Sequence, residues 1–65
     1  MYRLCSLDHI RGGTKYVFTK NYGWVREDYV RNGEEKLFGS EDEALDFAWS
    51  DENRYYGAEY FVEVA

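Results

Sequence analysis

The sequence predicts an α+β domain in which an antiparallel sheet of four to five strands carries a single helix on one face, in the order β-β-β-(β)-α-β. Three observations predict it. Short segments of alternating apolar and polar residues, rich in Tyr, Phe and Val, are separated by Gly and Asn at turn positions. One stretch alone, Phe38 to Asn53, switches to a helical period. Sixty-five residues leave room for one small domain, 1–65, with a single core.

The helix is the most sharply marked element. Ser40 followed three residues later by Glu43 is a capping box, in which each residue's side chain satisfies the other's backbone N–H. Glu41, Asp42 and Glu43 fill the first turn, where the positive end of the helix dipole favours carboxylates by about 0.3–1 kcal/mol. At about 100° per residue, Ala44, Leu45, Ala48 and Trp49 share one arc, while Asp42, Glu43, Asp46, Ser50 and Asn53 share the opposite one. Glu52 would fall in the apolar arc, so the helix is expected to end between Ser50 and Asn53.

The strands follow in chain order. Tyr2 to Leu7 alternates, with Tyr2 and Leu4 on one side and Arg3, Cys5 and Leu7 on the other. Asp8 to Gly13 interrupts it, and Gly12-Gly13 marks a turn. Thr14 to Thr19 is the clearest strand, being β-branched and aromatic. Lys20-Asn21-Tyr22-Gly23 reads as a hairpin loop leading to a strand from Trp24 to Val30. Asn32-Gly33 suits a type I′ turn, which would fold Glu34–Phe38 back on Trp24–Val30. After the helix, Gly57 opens a last strand, Ala58 to Val64, with Tyr60, Val62 and Val64 on one face and Glu59, Phe61 and Glu63 on the other.

Two Trp, seven Tyr and four Phe supply much of the core, each able to bury roughly 150–250 Å². One helix covers one face of such a sheet, so either some rings are exposed or Arg and Lys stems cover the second face. No apolar run approaches the roughly 18 residues of a membrane span. No charged-then-apolar amino-terminal segment reads as a secretory signal, and a bacterial cytoplasmic location is expected. Cys5, the single cysteine, is expected to be a buried reduced thiol.

The net charge of −5 conceals a division. Residues 1–33 carry six bases and three acids, and residues 34–65 carry ten acids with only Lys36 and Arg54. The second half is therefore at −8, a charge that steers towards basic surfaces or serves solubility.

No enzyme chemistry is evident. His9 is the only histidine. Cys5, Asp8 and His9 can be written as a nucleophile–acid–base set, but a strand and its following turn carry Cys5 and His9 apart. No metal-ligand spacing, calcium-loop pattern or phosphate loop occurs, so neither a cofactor nor a metal is expected. The bases of the first half interleave with Tyr16, Phe18, Tyr22 and Trp24, a pattern that could stack nucleobases, but the −8 half would repel a phosphate backbone.

What stands out is a carboxylate surface. Asp42 and Asp46 are one turn apart with Glu43 beside them, Asp51 follows the helix, Glu34 and Glu35 precede it, and Glu59 and Glu63 would extend it from the last strand. Like charges on one helix face cost a few tenths of a kcal/mol per pair. Such carboxylates can occupy the positions that a duplex's phosphates take in a basic groove, so the expected partner is a protein with a basic nucleic-acid-binding surface, with no direct nucleic acid and no membrane.

A short, proline-free, Tyr-rich acidic chain in which strands are followed by Gly39-Ser40-Glu41-Asp42-Glu43-Ala44-Leu45-Asp46 and one more strand resembles small inhibitory proteins of phages and mobile elements. In particular it resembles anti-CRISPR proteins, some of which act as DNA mimics against the DNA-binding subunit of an interference complex. It is also similar in layout to small RNA-polymerase inhibitors of lytic phages. The resemblance implies a stoichiometric inhibitor that blocks target-DNA binding. The alternative is an inhibitor or adaptor that binds another protein, such as RNA polymerase, through an exposed Tyr-rich face. A third reading is a small nucleic-acid-binding module.

Overall fold

The computed structural model describes residues 1–50, 52–55 and 57–65. Its sheet is built on β1 (Tyr2–Asp8). β5 (Ala58–Val64) runs antiparallel to β1 along its whole length, Tyr2 opposite Val64 and Asp8 opposite Ala58. A strand has two edges, and the second edge of β1 is divided. β2 (Thr14–Thr19) pairs with Cys5 to Asp8, and β4 (Leu37–Phe38) pairs with Tyr2 and Arg3. β3 (Gly23–Arg26) lies on the far side of β2. With α1 (Glu41–Trp49) across one face, this is the α+β arrangement that the alternation and the single cap predict.

The segment 34–38 explains how one edge serves two partners. Lys20 donates its N–H to the Glu34 carbonyl and Lys36 donates to the Phe18 carbonyl, both at 3.0 Å. The next residue, Leu37, is opposite Arg3. The chain thus crosses from β2 to β1 where those strands splay apart, and the sheet curls. This corrects the expected return onto residues 24–30. Glu34 and Glu35 accept hydrogen bonds from the Arg31 and Gly33 N–H groups, which rounds the turn away from β3. Gly33 has φ 88°, but among the described residues, Asn32 included, no non-glycine residue has a positive φ, so Asn32-Gly33 does not form a type I′ turn.

The strand expected to reach Val30 stops at Arg26 and gives way to a single 3-10 turn at Glu27–Tyr29. The Val30 N–H is given to the Glu27 carbonyl at 3.2 Å, a local turn bond that takes the chain out of the ladder, and from that turn Glu27 reaches Lys15 at 2.7 Å and Arg3 at 3.2 Å. The helix starts at the expected cap. The Ser40 hydroxyl accepts from the Glu43 N–H at 3.1 Å. It ends at Trp49, with Ser50 as C-cap and the Ser50 hydroxyl donating to the Phe47 carbonyl at 2.8 Å.

Leu4, Phe38, Ala44 and Ala48 form the fully buried centre of the core, flanked by Phe18, Trp24, Leu45, Phe47, Tyr60 and Val62. The two alanines let α1 approach the sheet closely, and rings fill the space on either side. The buried arc is rotated from the expected one. Phe47 packs against Phe18 and Phe38 with ring centroids 4.9 and 5.2 Å apart, whereas Trp49 is 55% exposed and meets Tyr60 edge-on.

Nine residues of helix extend only about 13 Å, too short to cover the sheet, and the segment after α1 covers the rest. Trp24 Nε1 donates to the Asn53 carbonyl at 3.0 Å. The Tyr60 hydroxyl donates to the Tyr55 carbonyl at 2.9 Å and accepts from the Tyr55 N–H. The Trp24 ring stacks on Tyr60 with centroids 5.7 Å apart, so α1, the following segment and the sheet share one aromatic belt.

Candidate interaction surface

The outer side of α1 is the open acidic surface of the molecule. Its position follows from the rotated core arc: with Ala44, Phe47 and Ala48 inward, Glu41, Asp42, Glu43 and Asp46 are all exposed. Among the described residues none of these four has a cationic side chain within 4 Å. Asp42 and Asp46 are one turn apart, about 6 Å along the axis. The Ser40 cap fixes the first turn, so the carboxylates are carried on a defined backbone rather than on a loop.

The other acids expected to extend this surface are placed differently. Glu34 and Glu35 are half-buried and accept the loop N–H bonds described above. Glu59 is exposed, with its carboxylate 3.0 Å from His9 Nε2. Asp51 lies outside the described residues. Glu63 belongs to an ion cluster on the sheet face opposite α1, which the sequence reading did not find. Glu63 lies 2.5 Å from Arg3 and 2.7 Å from Lys15, and Glu27 bridges the same two cations.

That cluster sets the charge states on the second face. Hydrogen bonds from Lys15 and then Arg3 hold the Glu63 carboxyl at about 2, against the opposing effect of burial. The hydrogen bond to Glu63 raises the Arg3 guanidinium. Burial alone would lower Lys15, but its bonds to Glu27 and Glu63 carry it above its ordinary value. Burial, and then the nearby Glu63 charge, push the Cys5 thiol up to about 11. The Lys15 ammonium also lies 5.7 Å from the centre of the Phe61 ring, so Arg and Lys stems cover much of this face. The register places Arg3 opposite Glu63, a pairing that alternation within either strand does not specify.

Cys5, Asp8 and His9 do not converge. Cys5 and Asp8 are on opposite faces of β1 by alternation. Asp8, only 4% exposed, accepts from the Ile10 and Arg11 N–H groups at 3.1 and 3.3 Å and from the Tyr55 hydroxyl at 3.3 Å. The adjacent Tyr16 hydroxyl, followed by burial, pushes the Tyr55 hydroxyl up to about 12. Among the described residues no three His, Cys, Asp or Glu side chains form a metal-binding group, and no helix is long and apolar enough to cross a membrane.

A second open feature lies near β3. Tyr22 and Tyr29, 72% and 67% exposed, flank a groove of about 360 Å³ that is also lined by Thr19, Val25, Arg31 and Glu34. Arg26 lies over the Tyr29 ring at 5.3 Å, which fixes one wall. Comparison of the chain with protein-family models, with characterised proteins and with solved structures finds no match.

Proposed function

We propose that this chain is a non-enzymatic acidic inhibitor protein that occupies a basic nucleic-acid-binding site of a larger complex, a DNA mimic of the anti-CRISPR kind working in a bacterial cytoplasm. The observation that carries this reading is the row of exposed carboxylates on α1, Glu41, Asp42, Glu43 and Asp46, without cationic partners among the described residues. Several other charges are matched: Arg3 and Lys15 with Glu27 and Glu63, Arg11 with Asp8, and Arg26 with Asp28. Like charges left together on one helix weaken it slightly, and binding to a basic groove would turn that cost into counterion release. Mimicry of this kind is one-sided, because the second face carries a neutralised cluster rather than further open acid.

The test is capture of partners from a bacterial lysate at low and high salt, with DNA as competitor, for the native chain and for a double charge reversal, Asp42→Lys with Asp46→Lys. The reading expects a nucleic-acid-handling protein that is released by salt and by DNA and is not retained by the double variant. Equal retention of that partner by the variant at low salt would refute it.

A second reading, binding of another protein such as RNA polymerase through tyrosines, is favoured by the groove between Tyr22 and Tyr29. It expects retention that ignores salt and is lost in Tyr22→Ala with Tyr29→Ala.

A further inference from the structure

We infer that the outer edge of β5 is a self-association surface: β5 of one copy pairs antiparallel with β5 of a second copy about a two-fold axis at Val62, joining two sheets into one. This goes beyond the inhibitory reading and does not depend on it.

The hydrogen-bond phase of the strand carries the inference. Ala65 donates its N–H to the Met1 carbonyl at 3.0 Å, in the register that sets Val64 against Tyr2. In an antiparallel ladder, residues that exchange bonds with one neighbour alternate with residues that face the other way. Glu59, Phe61 and Glu63 therefore turn their backbone groups towards β1. Tyr60, Val62 and Val64 turn theirs outward, and among the described residues none of these has a backbone partner.

The two edges of the sheet are treated differently. β3 is four residues long, runs into a 3-10 turn and is tied to the segment after α1 through Trp24. β5 is seven residues long, pairs with β1 without a bulge, and carries neither proline nor lysine, so it lacks the usual devices that blunt an exposed edge. Its two charges are turned aside, Glu63 onto Arg3 and Lys15 and Glu59 onto His9.

Three registers satisfy the outward-facing groups, and two are disfavoured. With Phe61 on the axis, Val64 would pair with Ala58, whose N–H is given to the Tyr55 carbonyl, and Glu59 of each copy would oppose Glu63 of the other. With Tyr60 on the axis, Val62 would pair with Ala58, whose N–H is already given to the Tyr55 carbonyl at 3.1 Å. With Val62 on the axis, Val62 exchanges both bonds with its counterpart, Tyr60 faces Val64, and Phe61 faces Glu63. Val64, 81% exposed in the single chain, is then covered. The occupant is a second copy because this one strand supplies both complementary sides. The axis is perpendicular to the sheet and places both α1 helices on the same face. With −5 on each chain, association strengthens as salt rises, opposite to binding of a basic partner.

The experiment is sedimentation equilibrium of the full chain at low and high salt, for the native protein, Val62→Pro and Val64→Lys. Val62 gives no bond to β1, so proline there spares the β1 ladder and removes an outward N–H, at the cost of the Val62 side chain that flanks the core. Val64→Lys leaves the backbone untouched and tests the same edge if the proline variant does not fold, as judged by near-ultraviolet circular dichroism. The expected result is a native dimer whose dissociation constant falls with salt and rises at least tenfold in either variant. A native chain that stays monomeric up to about 1 mM, or a dimer unaffected in the folded variants, overturns the inference.

Discussion

The Arg3 guanidinium lies 2.5 Å from the Glu63 carboxylate, joining the first strand to the last across 60 positions of sequence. Folding holds Glu63 deprotonated to about pH 2, whereas the unfolded chain takes up that proton near its ordinary value of 4.5. The contribution is therefore complete above about pH 5 and is lost as the pH falls through 4.5 towards 2. Glu63 is one-third exposed, so solvent screening reduces the contribution to about 1–2 kcal/mol. Urea unfolding at pH 7 and pH 3 should show this loss, and Glu63→Gln should reduce it.

Phe47, rather than Trp49, is the ring that locks α1 to the sheet. Phe47→Ala should cost about 3 kcal/mol, as for other large-to-small core changes, enough to leave a domain of this size largely unfolded. Trp49→Ala should cost about half as much or less, because the side chain is already half in water. Equal losses in thermal or urea unfolding would place the core arc where the simple helical wheel puts it.

Ser6 is fully buried, and its hydroxyl has no hydrogen-bond partner among the described residues. An unsatisfied buried hydroxyl costs about 1–3 kcal/mol. Ser6→Ala removes that cost with little change in volume, so it should raise the unfolding free energy by about 1 kcal/mol. A loss of stability in this variant would mean that the hydroxyl is satisfied.

Tyr60 anchors the segment after α1 by giving one hydrogen bond to Tyr55 and accepting another. Tyr60→Phe keeps the Trp24 stack and removes both bonds, at a cost of about 1–2 kcal/mol. Tryptophan emission should change as well, because Trp24 is held by the carbonyl of Asn53 in the same segment. Unchanged emission and stability would show that the segment is held by packing alone.

The elements that were legible in the sequence are those specified locally. Ser40 and Glu43 mark the helix start because a cap is made within four residues, and the alternation of Ala58–Val64 reads as a strand whatever its partner. Alternation alone is a poor guide at the third strand: it continues to Val30, but the chain closes a turn from Glu27 to Val30 instead. A different limit applies to the acidic surface. Composition counts ten acids in the second half, yet whether an acid is open depends on a cation placed by another strand, as Arg3 and Lys15 are placed against Glu63. Asp42, Glu43 and Asp46 stay exposed, and among the described residues no cation is placed against them.

The double pairing of β1 also governs the order of events in time. β2 can close onto β1 through a connection of a few residues, but β5, which covers the whole other edge of β1, comes from fifty or more positions away. Sheets completed by such distant pairings form slowly, because the chain entropy of the loop is lost before the contact forms. As the chain is made from its amino end, β1 waits with one side unpaired, and α1 has no finished surface to rest on. The aromatic belt can assemble only when β5 arrives, so this strand is the one that commits the chain to its fold.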